Sequence, residues 1–234
     1  TQSRSSAASD VYKRQPRTSL DVALTRGPQN GGNEAALVRG LIAAKLPAQA
    51  IANAEAFLLR APGSGNAYAL AGDAYLAAGQ GGKAAEYYAQ AAEIRQSWPL
   101  TRRMAAAELA AGRRRSALTL LEYELANNSA NTDAAVLLAQ AALEAGDASK
   151  AVLLIEGAIA NGASRDPQVW MLRARAALAL DDAETARNAA MRAYSLQRMS
   201  PAATALLARI LRETGGSEPE VRALAEKAGK LQQR

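Results

Sequence analysis

Apolar residues recur along this chain with two periods at once. Tyr68, Ala71, Gly72 and Tyr75 fall at i, i+3, i+4 and i+7, and after a break at Gly79 the pattern resumes with Ala84, Tyr88, Ala91 and Ala92. Each set occupies one face of a helix, so the segment predicts two amphipathic helices joined by a short turn. The longer period carries that hairpin through the chain. Ala50, Ala84, Ala117, Ala151 and Ala186 are separated by 34, 33, 34 and 35 residues, and five residues before each stands Lys45, Gly79, Gly112, Gly146 or Asp181. A helix closing at glycine and a second one opening near an alanine is how a helical hairpin reads in sequence. Its return at a fixed spacing predicts an array of hairpins.

Composition narrows the fold class to all-α. Hydrophobic residues are 49% of the 234, yet only 4% are aromatic and alanine is the commonest apolar residue. Alanine is the best helix former, whereas strands favour the β-branched and aromatic types that are scarce here. Cysteine and histidine are absent, which removes zinc sites, thiol nucleophiles and every mechanism using imidazole as acid or base. The chain is therefore read as a non-enzyme with no cofactor and no metal. Lack of cysteine suits a reducing cytosol and an oxidising periplasm alike, so both compartments stay open. The most apolar stretch, Leu41 to Leu59, is interrupted by Lys45 and Glu55 and falls short of the ~18 to 20 residues a membrane helix needs.

The hairpin motif resembles the tetratricopeptide repeat family, whose period is about 34 residues. In Gly65 to Trp98, Tyr68 stands where the family usually has Trp, Gly72 at the small position of the first helix, Tyr75 at its aromatic position and Gly79 at the turn, while Ala84, Tyr88 and Ala91 fill the marked positions of the second helix. Leu37, Leu41, Ala50 and Pro62 keep the register upstream; Leu138, Ala139, Gly146, Ala151 and Ala158 keep it downstream, followed by Trp170, Ala174, Ala186 and Ala193. Two units depart from it, with Glu108 at an aromatic position and Pro219 and Val221 where the last unit would carry its alanine. The resemblance implies a right-handed α-solenoid, with repeats at about 31–64, 65–98, 99–131, 132–165, 166–200 and 201–234, each burying its apolar face on its neighbours.

Residues 1–30 are read separately. Ser5 to Gln15, SSAASDVYKRQ, resembles the translation of a transposase-based sequencing adapter, and residues 1–15 are accordingly set outside the fold. They carry +2 through Arg4, Lys13 and Arg14 against Asp10, which leaves +4 of the chain's +6. Leu20, Ala23, Leu24 and Pro28 lie 34 residues before Ala54, Phe57, Leu58 and Pro62, so 16–30 reads as the tail of a cut repeat. The expectation is a natural N terminus further upstream. Abundant alanine and arginine resemble the proteins of high-GC bacteria.

Solenoids of this family line a concave groove with the first helices of successive repeats. Carried over position by position, that geometry implies a peptide groove of Arg39; Leu70, Asp73 and Leu76; Arg102 and Arg103; Val136, Leu137, Gln140 and Leu143; Met171, Leu172, Arg175 and Leu178; and Arg209. Leucines with spaced arginines suit a peptide or partner protein that brings apolar side chains and acidic groups, because Arg binds a carboxylate through two parallel hydrogen bonds. The competing reading is that neighbouring repeats cover the leucines and water solvates the arginines. The expected function is thus a protein interaction scaffold. Two alternatives are kept: the repeat region of a larger enzyme such as a glycosyltransferase or sulfotransferase, and a basic scaffold for nucleic acid or an anionic surface.

The nucleic-acid alternative rests on Arg102, Arg103, Arg113, Arg114 and Arg115. It lacks nearby aromatic platforms for bases, and the triplet after Gly112 is most simply a solvated turn. Gly81-Gly82-Lys83 is no phosphate loop, since Ala84 replaces the Ser or Thr that would hold magnesium and no strand precedes it. Asp181 and Asp182 sit at a turn, where they read as caps of the next helix. Asn127-Asn128-Ser129 fits a glycosylation acceptor but belongs to a polar loop between repeats.

Overall fold

The computed structural model describes residues 32–233; the expectations for the first thirty residues lie outside that range. Among the described residues there are twelve α-helices and no strand, which is the all-α class the composition requires. They are α1 (Gly32–Ala43), α2 (Pro47–Arg60), α3 (Gly65–Ala77), α4 (Gly81–Ile94), α5 (Trp98–Ala110), α6 (Arg114–Asn127), α7 (Thr132–Glu144), α8 (Ala148–Ala160), α9 (Pro167–Ala179), α10 (Ala183–Leu196), α11 (Pro201–Glu213) and α12 (Glu218–Gln232), with one 3-10 turn at Ala163–Arg165. The described residues form two compact units, one up to residue 117 and the other from residue 118 on. In the first, one cluster joins α1, α2 and α3 through Val38, Ala50, Ala54, Ala67 and Ala71, and a second joins α3, α4 and α5 through Tyr75, Ala84, Tyr88 and Ala107. In the second, Ala139, Ala151, Ile155, Val169 and Ala176 join α7, α8 and α9, while Ala177, Ala190, Leu207, Ile210 and Val221 join α9 to α12.

Each hairpin turns at one residue with a left-handed backbone. Lys45, Gly79, Gly112, Gly146, Asp181 and Gly215 have φ of 57°, 74°, 75°, 82°, 58° and 80°. In every case the next residue's N–H donates back to the carbonyl five residues earlier: Leu46 to Leu41, Gln80 to Tyr75, Arg113 to Glu108, Asp147 to Ala142, Asp182 to Ala177 and Gly216 to Leu211. This closes the first helix by the Schellman arrangement, in which a left-handed residue returns an N–H to an orphan carbonyl of the last turn. Lys45 and Asp181 hold the conformation despite a Cβ, which costs such residues roughly 1–2 kcal/mol. Side chains cap the opposite ends: Ser64, Asn131, Asp147, Asp182 and Ser200 accept the N–H of Ala67, Ala134, Lys150, Thr185 and Ala203. Asp147 and Asp182 thereby start the second helix of their hairpins, while Ser64, Asn131 and Ser200 start first helices. Ala50, Ala84, Ala117, Ala151 and Ala186 are fully buried at the first crossing of the second helix.

Two glycines let neighbouring helices approach beyond what alanine allows. A Cβ on Gly72 would lie 2.6 Å from the ring of Tyr88, and one on Gly81 would lie 2.7 Å from the Ala107 carbonyl oxygen and from the Ala111 nitrogen. The ring can tilt; the backbone of the α5 end cannot. Gly81 is thus a packing residue, a role its place in a turn-like Gly-Gly-Lys run does not reveal. Gly81→Ala should destabilise the first unit by ~1–3 kcal/mol through overpacking. Gly82→Ala, whose Cβ meets only the Arg113 side chain at 3.6 Å, should be neutral or stabilise by up to ~1 kcal/mol through helix propensity. Denaturant midpoints of the two variants moving the same way would contradict this assignment.

Two buried tyrosines make the first unit sensitive to alkali. Tyr75 donates its hydroxyl to Glu55, and that bond, its burial and the Glu55 charge push its pKa up to about 12. Burial, followed by the charge of Asp73 and the bond donated to it, raises Tyr88 further. A phenol held protonated by the fold contributes stability fully present below its unfolded pKa near 10 and lost as pH rises through the folded value. Denaturant midpoints should therefore fall between about pH 10 and 12, and Tyr75→Phe should flatten that fall. An unchanged slope in the variant would remove Tyr75 as its source.

Candidate functional site

The first helices of successive hairpins touch one another, α1 with α3 and α3 with α5 in the first unit, α7 with α9 and α9 with α11 in the second. Each row exposes a repeated set of positions. In α3 the second, fifth, sixth and ninth residues are Asn66, Ala69, Leu70 and Asp73; in α9 they are Gln168, Met171, Leu172 and Arg175; in α11 they are Ala202, Ala205, Leu206 and Arg209. This i, i+3, i+4, i+7 spacing is one helical face, and in each unit it lines a groove.

The groove of the first unit encloses about 950 Å³ and brings together four of the expected residues, Arg39, Leu70, Asp73 and Arg103. Phe57, Ile94, Leu100 and Arg95 also line it. Leu70 is only 3% exposed and forms part of the core beneath the groove. The Asp73 carboxylate is already engaged: Tyr88 Oη donates to Oδ1 at 2.7 Å, and Arg103 Nη1 lies 3.3 Å from both oxygens. The side chains of Arg39 and Arg95 have no hydrogen bond or ion pair among the described residues.

The groove of the second unit encloses about 390 Å³ and gathers Gln140, Met171, Leu172, Arg175 and Arg209 with Gln168, Ala202, Ala205 and Leu206. Leu172 is 2% exposed, hence a core residue whose edge forms the floor. Met171 and Leu206 are half-buried and stand at the surface of the floor. Arg209 lies 3.6 Å from Glu213 with both side chains about half exposed, a contact worth ~0–1 kcal/mol. Arg175 is exposed and has no partner among the described residues.

The remaining expected residues lie elsewhere. Leu76, Val136, Leu143 and Leu178 pack against the core clusters, Leu137 is half-buried outside both grooves, and Arg102 is exposed outside them. The basic cluster is dispersed into pairs: Arg103 with Asp73, Arg113 with Glu108, and Arg114 and Arg115 each engaged within the structure. Asp182 caps α10 through Thr185, and its bonds to Thr185 lower its pKa. Among the described residues no group of three or more acidic side chains could hold a metal ion, and no helix is long and apolar enough to cross a membrane.

Sequence reasoning missed the first-turn contributions, Asn66, Gln168, Ala202 and Ala205, and the second-helix residues Ile94 and Arg95. The former were within reach, because each lies three, four or seven residues before a position that was selected. The latter were not, since helix periodicity assigns second helices to the opposite wall and the groove rim is a property of packing.

A tetratricopeptide repeat family profile matches residues 108–176. No curated protein sequence matches the chain. Solved structures similar to it include a chain of the Cut9-Hcn1 hetero-tetramer of the APC/C, 14% identical with a TM-score of 0.65 over 94% of this chain and 45% of that one, so that this chain spans less than half its length. The C-terminal part of a TPR repeat-containing protein from Cytophaga hutchinsonii is 12% identical with a TM-score of 0.66, over 84% and 78% of the two chains. YrrB, described as a TPR protein with an unusual peptide-binding site, is 14% identical with a TM-score of 0.56, over 79% and 95%. At these identities the likeness speaks for the fold. The fold is thus that of tetratricopeptide-repeat solenoids, and the stretch 108–176 within it carries the match to that family.

Proposed function

We propose that the chain is a protein interaction scaffold whose first-helix grooves bind peptide segments carrying apolar side chains and acidic groups. The observation that carries this reading is the repeated face of the second unit. Gln168, Met171, Leu172 and Arg175 of α9, followed by Ala202, Ala205, Leu206 and Arg209 of α11, offer an apolar floor beneath two arginines in one groove. The energetics require both parts. Micromolar binding needs about 8 kcal/mol, and an exposed ion pair supplies ~0–1, so the arginines select an acidic group while most of the affinity comes from covering Met171 and Leu206. YrrB, a fold neighbour described by its peptide-binding site, supports the same use of the fold.

A clean test avoids Leu172, because a charge at that buried position would unfold the repeat before it blocked a ligand. Peptides selected from a displayed library against the wild-type chain should be rich in leucine-like and acidic residues. Met171→Glu and Ala205→Glu, at half-buried and exposed positions, should each weaken them by at least about tenfold with the denaturant midpoint unchanged. Arg175→Ala should cost roughly two- to fivefold. Binding that ignores both glutamate substitutions would place the interaction elsewhere. A salt dependence as steep as that of phosphate neutralisation would favour nucleic acid instead.

A further inference from the structure

The groove of the first unit holds an arrangement that the interaction reading does not itself contain. Tyr88 belongs to α4, does not itself line the groove, and is completely buried. Its ring passes over Gly72, where even a Cβ would collide at 2.6 Å, and its hydroxyl emerges at Asp73 on the groove wall, 2.7 Å from Oδ1. Asp73 in turn faces Arg103 of α5 end-on: a single nitrogen, Nη1, lies 3.3 Å from both carboxylate oxygens. An arginine paired through its side edge has little left to offer a ligand. One paired through Nη1 alone keeps Nε–H and the two Nη2 hydrogens, the edge that meets a carboxylate with two parallel bonds.

The rest of the lining indicates what would come to that edge. Among the described residues the charged ones of the groove are Arg39, Arg95, Arg103 and Asp73, a balance of +2, and Asp73 is committed to Tyr88 and Arg103. Arg39 and Arg95 have no partner among the described residues. The same lining includes Ile94, half exposed, and the edges of Phe57, Leu70 and Leu100. Phe57 is the only aromatic residue of the described lining and is buried, so the described lining offers no exposed ring on which nucleic-acid bases stack. The charge and the apolar surface fit an acidic protein segment with aliphatic side chains.

We propose that Asp73 is a positioning residue: held by Tyr88 through the gap over Gly72, it orients Arg103 so that the guanidinium receives a carboxylate of an acidic partner segment in the first unit's groove. This rests on the grooves being peptide sites, and it assigns Asp73 an effect opposite in sign to that of a competing charge. Removing a negative charge from a cationic groove should strengthen an acidic ligand. If Asp73 orients Arg103, removing it should weaken that ligand.

The probe is a fluorescein-labelled peptide of leucine, alanine and glutamate, with its glutamine counterpart as control, followed by anisotropy at low salt. Wild-type binding that Arg39→Ala and Arg95→Ala reduce, and that the glutamine peptide lacks, establishes the groove; its absence defeats the underlying peptide reading. With the groove established, Asp73→Asn should weaken the probe by roughly three- to tenfold. Tighter or unchanged binding overturns the positioning role. Tyr88→Phe, which keeps the ring over Gly72 and loses only the hydroxyl, should weaken it in the same direction and serves as the primary variant should Asp73→Asn fail to fold. An Arg103→Lys background separates orientation from structure: with no guanidinium to orient, Asp73→Asn should there tighten the probe, whereas a loss common to both backgrounds would mean that Asp73 merely supports the fold. A single-stranded oligonucleotide of equal charge binding more tightly than the peptide would overturn the assigned partner.

Discussion

The structure depends on one backbone event repeated six times, a residue in the left-handed region followed by an N–H that reaches back five residues. That bond terminates the first helix and sets the direction in which the chain leaves it. Because the second helix begins within a few residues, its rotational phase is inherited from the turn, and at the first five turns the alanine five residues on arrives fully buried at the crossing point, where the last turn has Val221 one residue later. Glycine takes the left-handed conformation without a Cβ clash and holds it at four of the six turns. At the other two, Lys45 and Asp181 carry the same geometry, which shows that the surrounding helix packing is strong enough to impose it.

From phase follows the face that remains open. Once the second helix is packed by its alanines, the first helices are left side by side within each unit, and their second, fifth, sixth and ninth positions line the groove, the sixth as a buried floor at Leu70 and Leu172. Alanine contributes little burial per residue, so each hairpin relies on the ones it touches, as in nearest-neighbour repeat stability. The close approach has a chemical consequence as well. Where the gap narrows to a glycine, as at Gly72, a long side chain from the second helix reaches the first-helix wall, and Tyr88 places a polar hydroxyl at a groove carboxylate that helix periodicity alone would assign to a ligand.

This division explains what could be read from the residues and what could not. The turns and the alanines were legible because they express local rules, a positive φ and a small crossing residue, repeated at constant spacing. The groove positions were legible in part, since Asp73, Met171, Arg175 and Arg209 fall on a face that periodicity defines. Leu70 and Leu172 line the grooves only by the edges of core side chains, a depth the sequence does not give because the apolar stripe of an alanine-rich helix is wide and does not say which edge the next repeat covers. The commitment of Asp73 to Tyr88 and Arg103 spans 15 and 30 residues and crosses three helices, so no local rule contains it. Gly81 hid for a different reason: its need for a small side chain comes from the backbone of α5, 26 residues on at Ala107, and not from its own turn.

The same reasoning bears on the arginines, which are the chain's most conspicuous charged feature. As a linear cluster, Arg102, Arg103 and Arg113 to Arg115 suggest a single basic surface. Folding separates them: Arg103 turns to Asp73, Arg113 folds back on Glu108 at the helix end and Arg102 stands exposed outside the grooves, while the groove cations with no partner among the described residues are Arg39, Arg95 and Arg175, none of which belongs to the cluster. Part of the charge that is dense in sequence is paired within its own hairpin or by the one before it, and charge that is isolated in sequence stands unpaired at a groove with apolar walls. A guanidinium in that setting is exposed and adds little affinity by itself, so it selects among ligands that the apolar walls already hold. Selectivity in such a site depends on which arginines the fold leaves unpaired, not on how many the chain contains.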